Sequence, residues 1–278
     1  MNPNEAFPVN PIAMVASAWR NRKLILKMSK RDVIGRYRGS VLGLTWSFFN
    51  PLLMLAIYTF VFAVVFNARW GVASGAASGK TDFAILLFVG MIVHSLFAEC
   101  VNRAPSLILS NVNYVKKVIF PLEVLPWIAM LSALFHAVVS LVVLLLAQLL
   151  IKQTLPVTAL LFPLVILPLI AATMGFCWFL SALGVYLRDV GQITTMFTTA
   201  LLFLSGVFYP VSSLPEQYQA VIRLNPLAYI IEESRNVLVF GHVPDPARWC
   251  LNMAGGLLVA WLGFYWFQRT RRGFADVV

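Results

Sequence analysis

Long apolar runs, separated by short polar breaks, dominate this chain. Runs occupy residues 41–66, a stretch from 83 past His94 and Glu99, and residues 124–151, 155–186, 192–208 and 249–267. A helical crossing of a bilayer needs roughly 20 residues, so the pattern predicts six transmembrane helices. The runs do not alternate apolar and polar residues, as barrel strands do. A single strand in lipid would also leave its backbone unsatisfied, so helices are the only form open to them. Pro51 predicts a kink in the first span.

Two segments break the pattern. Residues 11–38 intersperse Trp19, Leu24, Ile25, Met28, Val33 and Ile34 with Arg20, Arg22, Lys23, Lys27, Lys30 and Arg31. This reads as an amphipathic helix lying in the membrane interface with its cations near anionic head groups. Residues 209–248 are too polar to span and too apolar for an ordinary loop. There Ser213-Leu214-Pro215-Glu216 has capping-box spacing, Asn225-Pro226 offers a second helix start, and Gly241 a stop. Two short helices at or dipping into the membrane are expected.

The predicted fold is therefore all-α and integral to the membrane, with a short re-entrant hairpin between spans five and six. It forms one transmembrane domain over residues 1–278. Residues 1–40 hold the interface helix, 41–268 the six-span domain with its external hairpin at 209–247, and 269–278 a tail.

Composition agrees. The chain is 60% hydrophobic and 12% charged, against about 25% charged in soluble domains. The formal charge of +10 reports topology rather than nucleic-acid binding. With the N-terminus inside, 15 of the Lys and Arg residues fall on inner segments and six on outer ones. By the positive-inside rule both termini are expected in the cytoplasm. The first 30 residues hold no apolar core of a signal peptide. Cys100, Cys177 and Cys250 have no metal or redox spacing and read as small packing residues.

Candidate chemistry is sparse. Residues 75–81, GAASGKT, imitate a phosphate loop but carry Ser74 where the motif needs glycine, follow no strand, and fall on the outer face. No nucleotide site is therefore expected. His94, His136 and His242 form no metal motif, and His94 and Glu99 point about 140° apart on a helix. Glu99 and Arg103, four residues apart, are expected to pair locally.

Lys30-Arg31-Asp32, Arg36-Tyr37-Arg38-Gly39-Ser40, Leu42-Gly43, Trp46 and Pro51-Leu52 form a compact pattern at the first span. Tyr186-Leu187-Arg188-Asp189 follows the fourth. Leu224-Asn225-Pro226, Arg235, Leu238 and Gly241 mark the hairpin. In this order the chain resembles the permease subunits of type-2 ABC exporters of O-antigen, capsular polysaccharide or teichoic acid. The resemblance implies a homodimer with two copies of a separate cytoplasmic ATPase in the bacterial inner membrane. ATP and magnesium would then be bound on that ATPase, and this chain would hold no cofactor and catalyse no reaction. It also implies an ATPase contact through the interface helix and a short helix near 111–120, where Asn113, Tyr114, Lys116 and Lys117 are expected exposed.

An undecaprenyl-diphosphate-linked glycan is the implied cargo. Its conduit must offer many weak sites, and aromatic rings suit the C–H faces of sugars. Trp46, Phe49, Tyr58, Phe62 and Phe66 in the first span, with Phe197, Phe203 and Tyr209, are the candidates; Tyr58, Phe62 and Phe66 share one helical stripe. Packing and lipid contact are the alternative roles for these rings. Arg36 and Arg38 are candidates for binding the lipid pyrophosphate, or else only enforce topology. A drug or small-lipid exporter, an ion-coupled carrier and a membrane glycosyltransferase are the rival functions.

Overall fold

The computed structural model describes residues 8–65, 80–116 and 120–277, and every regular element among them is helical. Phe66, Lys117 and residues 75–79 of the false phosphate loop lie outside the described residues. The N-terminal segment is two helices, not one: α1 (Pro11–Arg20), capped by the Asn10 side chain on Ala13 N at 2.8 Å, and α2 (Arg22–Arg36), with a break at Asn21. The first span follows as α3 (Trp46–Tyr58), which contains Pro51 and continues as a π-helical stretch, Thr59–Val65. Gly39 and Gly43 turn the chain between α2 and α3 with φ of +88° and +51°, conformations that L side chains resist.

The remaining elements are α4 (Lys80–Arg103), α5 (Val112–Val115), α6 (Leu125–Lys152), α7 (Phe162–Tyr186) and α8 (Val190–Leu204). After them come α9 (Glu216–Arg223), α10 (Pro226–Arg235), α11 (Pro246–Thr270) and α12 (Phe274–Val277). Among the described residues, five helical segments have membrane length: Gly43–Phe62, Asp82–Ser106, Leu122–Lys152, Val157–Tyr186 and Pro246–Val277. The fifth expected span, α8, is shorter. Its 15 residues rise only about 22 Å, and Gly206, at φ +66°, turns the chain away just beyond it.

Helix α4 is the centre of the bundle. Residues 83–90 are all buried, which suits a helix apolar all round. The tightest pair is α7 with α11. A Cβ on Gly263 would lie 2.0 Å from the Gly175 carbonyl oxygen, and one on Gly175 would lie 2.2 Å from that of Val259. Such backbone contact is how small residues pack helices in lipid. Gly263→Leu is expected to remove the monodisperse peak in size-exclusion chromatography. The reason is that overpacking costs about 1–3 kcal/mol even where side chains can yield, and here the obstacle is backbone. Gly255→Leu, with nothing within 4 Å of its Cβ, is the control that should elute like the native chain.

The first and last described segments lie together at one end of the bundle. Trp261 donates its indole N–H to Val9 O (3.1 Å), Tyr186 donates its hydroxyl to Thr270 O (2.9 Å), and Ser17 donates to Glu123 (2.9 Å). Arg271 closes this end by pairing with Glu123 and donating to Phe120 O at 3.0 Å. At the opposite end Lys152 pairs with Asp82 (2.9 Å). There the π-helical stretch Asn236–Phe240 leaves carbonyls for Thr158 and Gln148, which donate to Val237 O (2.7 Å) and Leu238 O (3.0 Å).

The segment between α8 and α11 holds two short helices. Asn225 caps α10 through Leu227 N (3.0 Å), and Gly241, at φ +75°, ends the π-helical stretch that follows it. The expected capping box fails, because Ser213 bonds Pro210 O and α9 starts after Pro215 without a side-chain cap. Cys100 and Cys177 are buried as expected, whereas Cys250 is exposed.

Candidate functional site

Where α2 meets α4 and α6, four charged side chains form a two-rung ladder. Asp32 and Arg36 stand one turn apart on α2, and Glu99 and Arg103 one turn apart on α4. Arg103 donates two bonds to Asp32, at 2.9 and 3.0 Å, the fork geometry that makes arginine–carboxylate pairs strong. Ser132 of α6 adds a third bond to Asp32 at 2.7 Å. Arg36 pairs with Glu99 at 2.6 Å, and His136 of α6 contacts the same carboxylate at 3.1 Å. The expected local pair of Glu99 with Arg103 is therefore replaced by two pairs between helices. Glu99 and Arg103 sit on the face of α4 turned toward α2, so each meets an oppositely charged partner across the helix gap.

Tyr37 completes the cluster, its hydroxyl 3.1 Å from His136 Nε2. A His136 tautomer with its proton on Nδ1 satisfies both contacts, donating to Glu99 and accepting from Tyr37. Burial shifts the Asp32 carboxyl up, but the bonds from Arg103 and Ser132 outweigh it and hold the group below the usual carboxylate value. Burial pushes the Tyr37 phenol up, which keeps its proton available for donation.

Two hollows flank the ladder. One, of about 500 Å³, lies between α2 and the 104–115 segment and includes Arg31, Ser106, Ser110 and Tyr114 in its wall. The other, of about 220 Å³, rises from Arg36 and Glu99 between α3, α4 and α6 as far as Tyr58 and Phe88. Pockets for single drug-sized ligands enclose about 300–1,000 Å³, so neither hollow holds a polymer.

The sequence-expected residues fall into separate groups. Arg38 is exposed, whereas the Arg36 guanidinium is engaged by Glu99. Tyr58 and Phe62 do share a face, but that face packs on Phe83, Leu86 and Leu87 of α4, with the Phe62 ring 5.4 Å from Phe83 and 6.1 Å from Phe208. Trp46, Phe49 and Phe60 instead form an exposed face of the first span together with Leu53 and Ile57. Phe197 and Phe203 are exposed on α8, and Tyr209 donates its hydroxyl to Phe203 O at 2.7 Å.

In the segment after α4, two 3₁₀ turns (Ala104–Ser106 and Leu109–Asn111) precede the short α5, and residues 117–119 lie outside the described residues. Asn113 and Lys116 are exposed as expected. Tyr114 is not: its ring stacks on Phe120 at 4.3 Å with planes 12° apart.

Sequence reasoning left Arg235 without a role beyond a motif position. It is 5% exposed and donates to Leu86 O (2.9 Å), Gly206 O (2.9 Å) and Val207 O (2.7 Å), joining α10 to α4 and to the turn after α8. Gly90 leaves room for it: a Cβ there would stand 3.0 Å from the guanidinium. The available clue was an arginine set between two apolar stretches, Tyr229–Ile231 and Val237–Phe240.

Membrane-length helices around a buried central one, with a charged helix locked across one end, define the class of polytopic helical membrane proteins. The chain belongs to the ABC-2 type transporter family, whose model matches residues 23–239. It is similar to the O-antigen export system permease protein RfbA of Myxococcus xanthus, with 26% identity over 269 residues, 96% of this chain and 100% of that protein. RfbA of Klebsiella pneumoniae is 23% identical over 92% of this chain and 95% of its own length. The polysialic acid transport protein KpsM of Escherichia coli is 22% identical over 77% and 81%.

Proposed function

We propose that this chain is the permease subunit of an ATP-driven exporter that moves lipid-linked polysaccharide across the bacterial inner membrane. The observation that carries the reading is its end-to-end similarity to an O-antigen export permease. The hollows in one chain are too small for a polymer, which favours a conduit built between two copies. The exposed aromatic faces of α3 and α8 are the candidate walls.

In this reading α8 is a sixth, short crossing, and residues 209–247 form a re-entrant hairpin at the outer surface. The termini lie in the cytoplasm, where α2 and the 104–115 segment meet two copies of a separate ATPase that binds ATP and magnesium. Arg38 is the better candidate for the pyrophosphate of an undecaprenyl carrier, since Glu99 already neutralises Arg36.

Co-expression with a candidate ABC ATPase subunit should yield a complex whose ATP hydrolysis rises with an undecaprenyl-diphosphate-linked glycan. Asn113→Arg combined with Lys116→Glu should weaken that association while leaving the permease folded. Stimulation by small amphiphilic drugs and not by the glycan would favour the drug-exporter reading. Failure to associate with any ATPase would remove the exporter reading altogether.

A further inference from the structure

The smaller hollow sets polar side chains beside an apolar wall within the membrane-length helices. From Asp82 to Pro105 the central helix has one exposed residue, Ser95, and it lines this hollow. Ser95 lies one turn from Glu99, about 6 Å further along α4 from its Arg103 end at 1.5 Å per residue. Asn50 and Tyr58 face the same space from α3. Among the described residues, the Ser95 hydroxyl, the Asn50 amide and the Tyr58 hydroxyl have no protein hydrogen-bond partner, whereas neighbouring Ser47 and Ser140 return their hydroxyls to backbone carbonyls. Polar groups at bilayer depth are costly unless something satisfies them.

The chemistry of the hollow narrows what that partner is. At its floor the guanidinium of Arg36 is neutralised by Glu99, so the site has no net positive charge with which to hold a pyrophosphate. It offers both donors and acceptors: the Glu99 carboxylate, the Asn50 amide, the Tyr58 and Ser95 hydroxyls and the Arg36 guanidinium. Phe88 and Ile92 supply an apolar wall. A polyhydroxylated ring presents hydroxyls at its rim and C–H groups on its faces, and it matches both. The volume of about 220 Å³ suits one ring rather than a chain.

Resting on the polysaccharide-export reading above, we infer that this hollow is a subsite for one uncharged sugar ring, the ring joined to the lipid carrier. The carrier phosphates remain outside it, toward Arg38. The subsite reads the sugar at the lipid end of the cargo, separately from the conduit that passes the chain.

The test uses the full chain in nanodiscs and native mass spectrometry with three probes: undecaprenyl diphosphate, the same lipid bearing a single N-acetylglucosamine, and free N-acetylglucosamine. The sugar-bearing lipid should be retained at least about tenfold more than the bare lipid, a difference of about 1.4 kcal/mol. Ser95→Leu, which fills the hollow, should abolish that preference. Ser95→Ala, which removes only the hydroxyl and cannot clash, should reduce it and keeps the test valid if the larger variant misfolds. Free sugar that binds and is lost with Ser95→Leu supports the ring as the recognised element. Equal retention of the two lipids, or a preference untouched by both variants, overturns the inference. Surface polysaccharide, measured in cells carrying the native chain and its ATPase, tests the export reading separately.

Discussion

Replacing Arg235 by methionine is expected to leave no stably folded protein. Methionine approximates the length of the side chain but donates nothing, so the Gly206 and Val207 carbonyls lose the buried N–H groups that reach them at 2.9 and 2.7 Å. Leu86 O keeps its place in α4 but loses the bond that ties that helix to α10. Each buried carbonyl left without its donor costs about 1–3 kcal/mol, so the two together remove a large fraction of the about 5–15 kcal/mol that holds a typical domain together. Arg235→Lys should fall between the two, since one ammonium cannot match a planar fork directed at three carbonyls. Thermal unfolding followed by size-exclusion chromatography orders the three proteins; a methionine variant as stable as the native chain would mean that the guanidinium holds nothing together.

The second large effect is expected at the ladder. Asp32→Arg and Arg103→Asp should each abolish export, and the double reversal should restore part of it. The single changes place like charges one helix gap apart, whereas the reversal returns an opposite pair in a changed position and leaves Ser132 without its carboxylate. The rung's side chains are about 30% exposed, so solvent screening reduces its worth to about 1–3 kcal/mol. That is enough to undock α2 without unfolding the bundle. Surface polysaccharide at matched protein level is the measurement, and a double reversal no better than the singles would show that each residue acts outside the pair.

The pH dependence follows from the Asp32 carboxyl. Its folded value lies below the ordinary one because the bonds from Arg103 and Ser132 outweigh burial. Its contribution is complete above the ordinary carboxylate value and is lost only as pH falls through the lowered folded value. The rung should therefore persist unchanged through the neutral and mildly acidic range.

Much of this was legible along the chain, and the failures have a common form. The Asn225-Pro226 helix start and the Gly241 stop appear where local chemistry puts them, because a cap depends on residues two or three positions away. Ser213 had the right spacing but a nearer acceptor in Pro210 O. The stripe of Tyr58 and Phe62 was readable as a stripe, yet which way it faces was not: α4 lies on that side and buries it. Glu99 and Arg103 satisfy a helical pairing rule and still choose partners 63 and 71 positions away.

The sequence by itself determined that this is a helical membrane protein with a basic end and a helical hairpin, since run length, capping residues and charge count are local quantities. Only the tertiary structure decided which charges pair, that Arg235 is buried rather than a topology signal, and that Ser95 opens onto a hollow with both polar and apolar walls. Those outcomes depend on where helices cross and how they are rotated about their axes. Crossing positions are set by contacts such as Gly175 against Gly263, between residues far apart in the chain.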